Sequence, residues 1–387
     1  MTHQEITKLL QTEMVPALGC TGPTAYALAA ACCRPYLTAA SEQIRIYVSP
    51  AFLKIGFGVA TPGTSRPGIP IAVALGLIGG DHKLGLQVLE PATAEDMRAA
   101  DKLVDSGIIQ VLCDWEKKGV YVRAEVETKN ETVLAVVEHT HDGISLIQVN
   151  GKTIYEKTIA TGEGESNQER FMTIDEIFSY VENAPLKDIR FLLDGWKMNM
   201  ALAQAALEQP FGLASGRAYL KEYWKARGVP EDLFDRPMDY LPDNAVERSK
   251  ILVAAASDGR MGGCRLPAMA AMGDGNQGLT GTIPIGVAAQ FLGADEETTC
   301  RALAMSCLML FFVKMNIGRA AAFCLCAIAA SAGVAAGLSY LRGMPRELIC
   351  GAVKNVISPL AGMLCDGAKN GCALKMAVAV STAMSAC

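Results

Sequence analysis

The chain has 387 residues, of which 51% are hydrophobic and 19% are charged. This length exceeds one ordinary core and predicts a globular protein of two domains. The net charge of −5 provides no basic surface for a phosphate backbone, so we do not expect nucleic acid as a partner. Aromatic residues make up only 6%, which argues against a base-stacking platform and favours closely packed helices.

The N-terminal segment, residues 1–19, carries acidic groups and no apolar stretch, so we predict no signal peptide and expect a cytoplasmic protein. Residues 320–341 carry no charge and are long enough to span a bilayer. They consist of Ala, Gly, Ser and Cys more than of Leu, Ile and Phe. We therefore interpret this segment as a buried central helix, and we do not favour its alternative, a transport-associated membrane protein.

Helix and strand patterns alternate in the first part of the chain. Amphipathic spacing predicts helices, which lie at 5–14, 24–34 and 71–78. Residues 43–48 alternate as a strand, while 15–23 and 61–70 are predicted loops. Four further alternating segments are predicted to form an antiparallel meander, and they lie at 110–113, 120–127, 133–139 and 145–149.

Helical patterns dominate the second part of the chain, after a polar, glycine-containing segment. The predicted helices lie at 174–181, 189–207, 213–227, 245–256, 285–291, 297–313, 320–341 and 348–356. The sequence thus predicts an α+β protein in which an α/β part with an antiparallel meander precedes an all-α part. We expect an α/β domain over 1–157, a linker over 158–172 and an all-α catalytic domain over 173–387.

Thirteen cysteines in a reducing compartment are not expected to form disulfides, and most are predicted core residues. Cys20 is an exception, because it lies between two glycines just before a predicted helix with Pro23 near its first turn. The unpaired N–H groups at a helix N-terminus stabilise a thiolate. We therefore favour a reactive thiol at Cys20 over a packed loop cysteine.

Cys365 and Cys372 bracket Asp-Gly and Asn-Gly pairs, which predict a loop that folds back on itself. Such a turn suits a metal site, although its spacing is not a standard zinc or ferredoxin spacing. Cys324 and Cys326 lie two residues apart on a predicted helix, so at most one of them should face a shared cluster. Arg319, one turn earlier, is predicted either to bind a carboxylate or to cap the buried helix.

The segment 272–278 combines three glycines with Asn276 and Gln277 before an apolar stretch. Its free N–H groups suit an anion or a carboxylate, and a purely structural connection is the alternative. Neither a Walker A motif nor a dinucleotide-binding fingerprint is present. His139 and His141 alternate on a predicted strand, but with no spaced partner we interpret them as strand-surface residues.

Taken together, these segments resemble the iron–sulfur L-cysteine desulfidase family, whose members are also described as serine-dehydratase α-chain-like proteins. The resemblance is carried in order along the chain by ALGCTGPTA at 17–25, KIGFGVATPGT at 54–64, GDGNQG at 273–278, GRAAAFCLCAIAA at 318–330 and CDGAKNGCALK at 365–375. The chain departs from the family pattern at 51–55 and at 320–322. It also carries Asp274 at a position where the family usually has a small hydroxyl residue.

The resemblance implies a 4Fe–4S cluster held by Cys324, Cys365 and Cys372, with Cys326 as the alternative to Cys324. Three ligands leave one iron open as a Lewis acid. The resemblance also implies that the thiolate of Cys20 is the base that removes the substrate α-proton. The substrate-binding residues that we predict are Thr21, Gly22, Lys54, Asn276, Gln277 and Arg319.

The expected function is a lyase, independent of pyridoxal phosphate, that converts L-cysteine to pyruvate, ammonia and hydrogen sulfide. One alternative is an L-serine dehydratase with the same site, because a compact pocket separates thiol from hydroxyl weakly by shape. Another is a non-catalytic iron–sulfur sensor. We expect a small amino acid as the ligand and no membrane partner, and a homodimer is the one assembly that we consider.

Overall fold

The protein is described here by a computed structural model, which covers residues 1–18, 21–64, 66–157, 172–230, 233, 235–318 and 321–387. The strands are β1 (Met14–Leu18), β2 (Ser41–Val48), β3 (Ile109–Cys113), β4 (Tyr121–Thr128), β5 (Thr132–Glu138), β6 (Ile144–Val149), β7 (Lys152–Glu156) and β8 (Pro267–Ala271). The helices are α1 (His3–Glu13), α2 (Thr21–Cys33), α3 (Pro50–Gly56), α4 (Ile69–Gly79), α5 (Ala94–Asp105), α6 (Ile174–Asn183), α7 (Leu186–Ile189), α8 (Phe191–Glu208), α9 (Ser215–Lys225), α10 (Ala245–Met261), α11 (Gly275–Leu292), α12 (Glu296–Ile317), α13 (Leu325–Leu341), α14 (Arg346–Leu360) and α15 (Cys372–Ser385).

These elements pack as two compact units. The helical unit comprises Met1–Pro16, Gln168–Cys365 and Asn370–Cys387, and the sheet unit comprises Ala17–Asn167 and Asp366–Lys369. Both units are therefore discontinuous in sequence, whereas the expected division into 1–157 and 173–387 was continuous. Residues 158–171 of the predicted linker lie outside the described part of the chain. The predicted fold class, an α+β protein with a mainly antiparallel sheet followed by helices, is confirmed.

The sheet unit contains six strands in the order β3-β2-β4-β5-β6-β7. The predicted meander is correct for β4, β5 and β6, and β7 extends it. It is wrong for β3, which pairs parallel to β2 with Ile46 opposite Val111. The reason is the connection: α3, α4 and α5 separate the two strands in sequence, and such a long helical crossover allows parallel pairing. Alternating residues of β2 and β4, including Ile44 and Val122, are fully buried in the core of this unit.

The turn after β5 corrects the interpretation of the two histidines. The strand ends at Glu138, and His139 has a positive φ of 67°. His141 lies in the following turn, where the centroid of its ring is 5.5 Å from the centroid of the Phe52 ring. The two histidines therefore do not alternate on one strand face as predicted, because the chain already turns at His139.

The helical unit is built around apolar helices that bury most of their residues. Helix α12 is long and apolar enough to cross a membrane, but 72% of its apolar window is buried, as in the core helix of a soluble protein. Helix α13 lies against it, and a Cβ atom at Gly333 would collide with the backbone carbonyl of Ser306. Glycine is therefore required where the two helices approach each other.

Several element boundaries in the structure differ from those predicted from the sequence. The predicted loop at 15–23 contains β1, which pairs with β8, and the start of α2. Helix α11 begins at Gly275 and not near 285, because Asp274 caps it. The helix predicted over 320–341 begins only at Leu325. Helix α15 was not predicted at all, although its buried residues repeat with helical spacing.

Candidate functional site

Two of the predicted cluster cysteines lie on neighbouring segments of the helical unit. Phe323 and Leu364 form an antiparallel bridge. The N–H of Cys324 donates to the Met363 carbonyl at 2.8 Å, and the N–H of Cys365 donates to the Ala322 carbonyl at 2.7 Å. Side chains alternate between the two faces of such a pair. Cys324 and Cys365 therefore share the face opposite to the exposed side chains of Phe323 and Leu364.

The third predicted ligand, Cys372, is the first residue of α15 and follows the loop that the Asp-Gly and Asn-Gly pairs predicted. Lys375, one turn further along α15, donates from Nζ to the Leu364 carbonyl at 2.9 Å. This bond ties the first turn of α15 to the segment that carries Cys365.

Cys324 does not lie on the helix that carries Cys326, which corrects the expectation that both belong to one helix. Cys324 is the N-cap of α13, with φ −77° and ψ 92°, and is therefore extended and not helical. Its pKa is lowered, chiefly by the neighbouring Cys326 and also by the backbone N–H of Ala327 and the Lys375 ammonium, which together outweigh the effect of burial. The pKa of Cys326 is raised well above its ordinary value by the neighbouring Cys324, by burial and by the charge of Asp274.

Asp274 is the residue on which the polar contacts of this site converge. Its Oδ2 accepts from the Cys326 thiol at 3.1 Å and from Gln277 Nε2 at 3.3 Å. Its Oδ1 accepts from the backbone N–H of Asn276 at 2.9 Å, which caps α11. Arg260 Nη1 lies 3.7 Å from the same oxygen, and the arginine side chain is only 2% exposed. The carboxylate thus connects α10, α11 and α13 through one side chain.

Two buried cations support the turn that carries Asp274. Met272 and Gly273 both have positive φ, at 48° and 77°. Lys314 of α12, which is 2% exposed, donates from Nζ to the Met272 carbonyl at 2.8 Å. Arg260 lies so close to Gly275 that a Cβ atom there would overlap the guanidinium. Sequence reasoning overlooked Arg260, Lys314 and Lys375, and charged residues inside apolar helices were the available signal.

Asn276 and Gln277, which we predicted to bind substrate, lie in the first turn of α11 and are each 2% exposed. Asn276 Oδ1 accepts from Ser257 Oγ at 3.4 Å. Within the described part of the chain, Gln277 Oε1 is buried and has no hydrogen-bond partner. A buried oxygen without a hydrogen-bond partner destabilises the folded protein. This atom is therefore available to accept a hydrogen bond from a ligand. The substrate-binding role of both residues stays a prediction.

In the sheet unit, the remaining predicted site segments meet at α3. A Cβ atom on Gly22 would lie 2.5 Å from Ile55 Cγ2, so the start of α2 packs tightly against α3. Gly367, with φ 96°, passes against the Lys54 carbonyl, where a Cβ atom would overlap the oxygen. Lys369 forms a parallel bridge with Gly58. Residues 366–369, which lie between Cys365 and Cys372 in the sequence, thus pack against the helix that carries Lys54.

Other predicted site residues cannot be placed. Cys20 and Arg319 lie outside the described residues, and the side chain of Thr21 is not described. The described residues contain no group of three or more His, Cys, Asp or Glu side chains placed to hold a metal ion. The thiols fit an iron–sulfur cluster in donor type, because soft thiolates are its usual ligands. The shared face of Cys324 and Cys365, with the ammonium of Lys375 beside it, also fits such an anionic group.

The fold and the site define an α+β protein with a thiol-rich polar site beside a capped, buried helix. A family model described as serine dehydratase alpha chain matches residues 83–387. A UPF0597 protein of Clostridioides difficile (strain 630) is 36% identical over 383 positions, which cover 97% of this chain and 87% of the relative. A UPF0597 protein of Desulforapulum autotrophicum is 37% identical over 393 positions, covering 98% and 86%. The UPF0597 protein YhaM of Escherichia coli (strain SMS-3-5 / SECEC) is 36% identical over 385 positions, covering 97% and 84%.

The chain therefore belongs to the serine dehydratase alpha chain family. This membership confirms the family resemblance inferred from the sequence motifs, and it is consistent with a lyase-like function.

Proposed function

We propose that this protein is an iron–sulfur lyase that eliminates sulfide from L-cysteine to give pyruvate, ammonia and hydrogen sulfide. The observation that carries the proposal is the bridge between Phe323 and Leu364, which places Cys324 and Cys365 on one face. Two cysteines that are far apart in sequence thereby lie on one face, and their sulfurs are soft donors of the kind that an iron–sulfur cluster requires. The family membership supports the lyase chemistry.

The residues proposed to hold a 4Fe–4S cluster are Cys324, Cys365 and Cys372. When bound, a cluster with three protein ligands supplies a Lewis-acidic iron with an open coordination position. The protein contributes charge: after the neighbouring Cys326, the Lys375 ammonium is among the groups that lower the pKa of Cys324. The negative charges of three thiolates at one site repel one another, so nearby positive charge is needed to stabilise them.

Cys20 is the proposed base, because it immediately precedes α2 in the sequence and a helix N-terminus favours a thiolate. In the proposed reaction its sulfur takes the α-proton of L-cysteine, and the electron pair of that C–H bond forms the Cα–Cβ double bond as the Cβ–S bond breaks. The product, 2-aminoacrylate, adds water and loses ammonia to give pyruvate. The leaving sulfide takes up a proton, so hydrogen sulfide is released.

The substrate contacts proposed for this site are those that the family motifs indicated. Gln277 Oε1 provides a buried acceptor, whereas the role of Gly22 rests on the motif alone, because Ile55 Cγ2 occupies the space beside it. L-Serine is the alternative substrate, because replacing sulfur by oxygen changes the ligand by one atom and shape discriminates such pairs weakly. A cytoplasmic location and a homodimer remain proposals with it.

The test is anaerobic reconstitution of the protein with ferrous iron and sulfide, followed by assays of sulfide and pyruvate from L-cysteine and of pyruvate from L-serine. We expect cluster-dependent sulfide release that is lost in Cys365→Ala and in Cys20→Ala. Cys365→Ala should also lose bound iron, whereas Cys20→Ala should retain it. Cys350→Ala is the matched control, because Cys350 is a half-buried thiol of the same unit and should leave both readouts unchanged.

The outcomes separate the alternatives. Pyruvate from L-serine at a higher kcat/KM than from L-cysteine identifies a dehydratase. A cluster that forms and changes its absorption with L-cysteine, yet yields no pyruvate, identifies an iron–sulfur sensor. A wild-type protein that takes up no iron refutes the proposal.

A further inference from the structure

The side-chain amide of Gln277 has a fixed orientation, because its nitrogen faces a carboxylate. Gln277 Nε2 donates a hydrogen bond to Asp274 Oδ2 at 3.3 Å. A carboxylate oxygen accepts hydrogen bonds and donates none, so an amide turned the other way would place two acceptors against each other. The nitrogen of the amide therefore faces Asp274, and its oxygen, Oε1, points away from that carboxylate.

The Asp274 carboxylate is held from several directions, so its own position is well defined. Its Oδ1 accepts from the backbone N–H of Asn276 at 2.9 Å, and its Oδ2 also accepts from the Cys326 thiol at 3.1 Å. The buried Arg260 lies on the Oδ1 side, with Nη1 at 3.7 Å. Because these contacts fix the carboxylate, they also fix the orientation of the Gln277 amide on its Oδ2 side.

The oxygen of this amide is an acceptor inside the protein that lacks a donor. Gln277 is 2% exposed, and no group in the described part of the chain donates a hydrogen bond to Oε1. A buried acceptor without a partner destabilises the folded protein. A ligand that brings a hydrogen-bond donor to this oxygen removes that cost, so the position suits a donor.

The charge near this oxygen favours one kind of donor. An amino acid offers a carboxylate, which only accepts hydrogen bonds, and an ammonium group, which has three donors and a positive charge. A carboxylate at Oε1 would face another acceptor beside the negative charge of Asp274. That side chain also occupies the backbone N–H of Asn276 at the start of α11. The geometry at Gln277 therefore favours an ammonium group over the carboxylate expected for segment 272–278.

We propose that Gln277 Oε1 accepts a hydrogen bond from the α-ammonium group of the amino-acid substrate, and that Asp274 is the positioning residue that orients the amide for this contact. The inference rests on the proposed function, because it assigns one group of that substrate to one residue. An acid without the amino group leaves the buried acceptor unpaired, so Gln277 selects amino acids. The contact does not involve the leaving group, so it serves L-cysteine and L-serine alike.

The experiment is isothermal titration calorimetry with L-alanine and with propionate, which differ only in the amino group and carry no leaving group. The full chain is titrated after anaerobic reconstitution with iron and sulfide. We expect wild type to bind L-alanine at least about 10-fold more tightly than propionate, as a hydrogen bond to a charged group predicts. Gln277→Met has a similar length and neither amide atom. It should weaken L-alanine binding about 10-fold and leave propionate binding unchanged.

Asp274→Asn tests the positioning role. An asparagine offers a donor as well as an acceptor, so the Gln277 amide can then adopt both orientations. The preference for L-alanine over propionate should fall below that of wild type, a change that a general loss of stability does not produce. Gln290→Met replaces an exposed glutamine of the same helix. It is the control and should bind both ligands as wild type does.

The ammonium contact is refuted if wild type does not prefer L-alanine, or if Gln277→Met weakens both ligands equally or neither of them. An unchanged preference in Asp274→Asn refutes the positioning role. If the expected preference is found in a protein that forms neither sulfide nor pyruvate, the ammonium contact stands and the proposed function fails. If L-cysteine is turned over and Gln277→Met binds L-alanine as wild type does, the proposed function stands and the ammonium contact fails.

Discussion

Asp258 is a buried carboxylate whose ionisation should lower the stability of the folded protein near neutral pH. It lies in α10, is 1% exposed, and its Oδ2 accepts from the backbone N–H of Gly216 at 2.9 Å at the start of α9. Burial raises the pKa of this carboxyl from 3.8 to about 6, although hydrogen bonds from Gly216 and Ser215 oppose the rise. The folded state therefore holds the proton more tightly than the unfolded state does.

The sign and size of the effect follow from these two values. A raised pKa in the folded state gives stability that is fully present below the unfolded pKa and is lost as the pH rises through the folded pKa. Between about pH 5 and about pH 7.5, a shift from 3.8 to about 6 changes the free energy of unfolding by about 1.4 kcal/mol. Asp258→Asn keeps an acceptor for Gly216 and cannot ionise, so it lacks this dependence.

The measurement is urea unfolding of wild type and Asp258→Asn at several pH values in that range. We expect the variant to be the more stable protein near pH 7.5 and the difference to shrink by about 1.4 kcal/mol toward pH 5. Asp243→Asn, at an exposed position just before α10, serves as the control and should follow wild type. Parallel curves for wild type and Asp258→Asn would show that Asp258 ionises in the folded state as it does in the unfolded state.

Further predictions concern the supports of the site, all measured as changes in the free energy of urea unfolding. Gly275→Ala should destabilise by about 1–3 kcal/mol, because a Cβ atom would overlap the buried Arg260 guanidinium. Lys314→Met should cost about 1–3 kcal/mol, since it removes the donor to the Met272 carbonyl in a buried turn. Gly367→Ala should cost about 1–3 kcal/mol, because φ is 96° there and a backbone carbonyl of α3 blocks the Cβ position.

Each of these substitutions has a matched control. Gly351→Ala lies within α14 with nothing near the Cβ position, so it should stabilise the protein by about 0.5–1 kcal/mol. Lys354→Met, the control for Lys314→Met, replaces an exposed lysine of α14. Gly362→Ala, the control for Gly367→Ala, adds a Cβ atom with no other atom nearby. Both should stay within about 0.5 kcal/mol of wild type. A control that is as costly as its test variant would contradict the assigned contact.

Local sequence patterns correctly predicted many of the helices and strands. The amphipathic spacing of residues 5–14 predicted α1, and its capping box, formed by Thr2 and Glu5, explains where the helix starts. The alternation of residues 43–48 predicted β2, and its buried residues are those of one face. Such signals are local because period and capping depend on residues within one or two turns.

The candidate site was only partly predictable for the same reason. The Asp-Gly and Asn-Gly pairs predicted the loop between Cys365 and Cys372, and the structure confirms that loop. No local signal predicted that Phe323 would bridge Leu364, because bridge partners far apart in sequence are selected by packing. The prediction that Cys324 lies on a helix was wrong. The helical sequence pattern extends through Cys324, but the bridge between Phe323 and Leu364 holds this residue in an extended conformation.

The sequence by itself determined the α+β class and the family of this protein, because composition, period and turn residues act over short distances. The tertiary structure alone decided that β3 runs parallel to β2, that residues 366–369 pack in the sheet unit, and that Arg260 and Lys314 support the turn before α11. Buried charges and strand partners are stabilised by groups distant in sequence, so their positions follow from the assembled core and not from the local pattern.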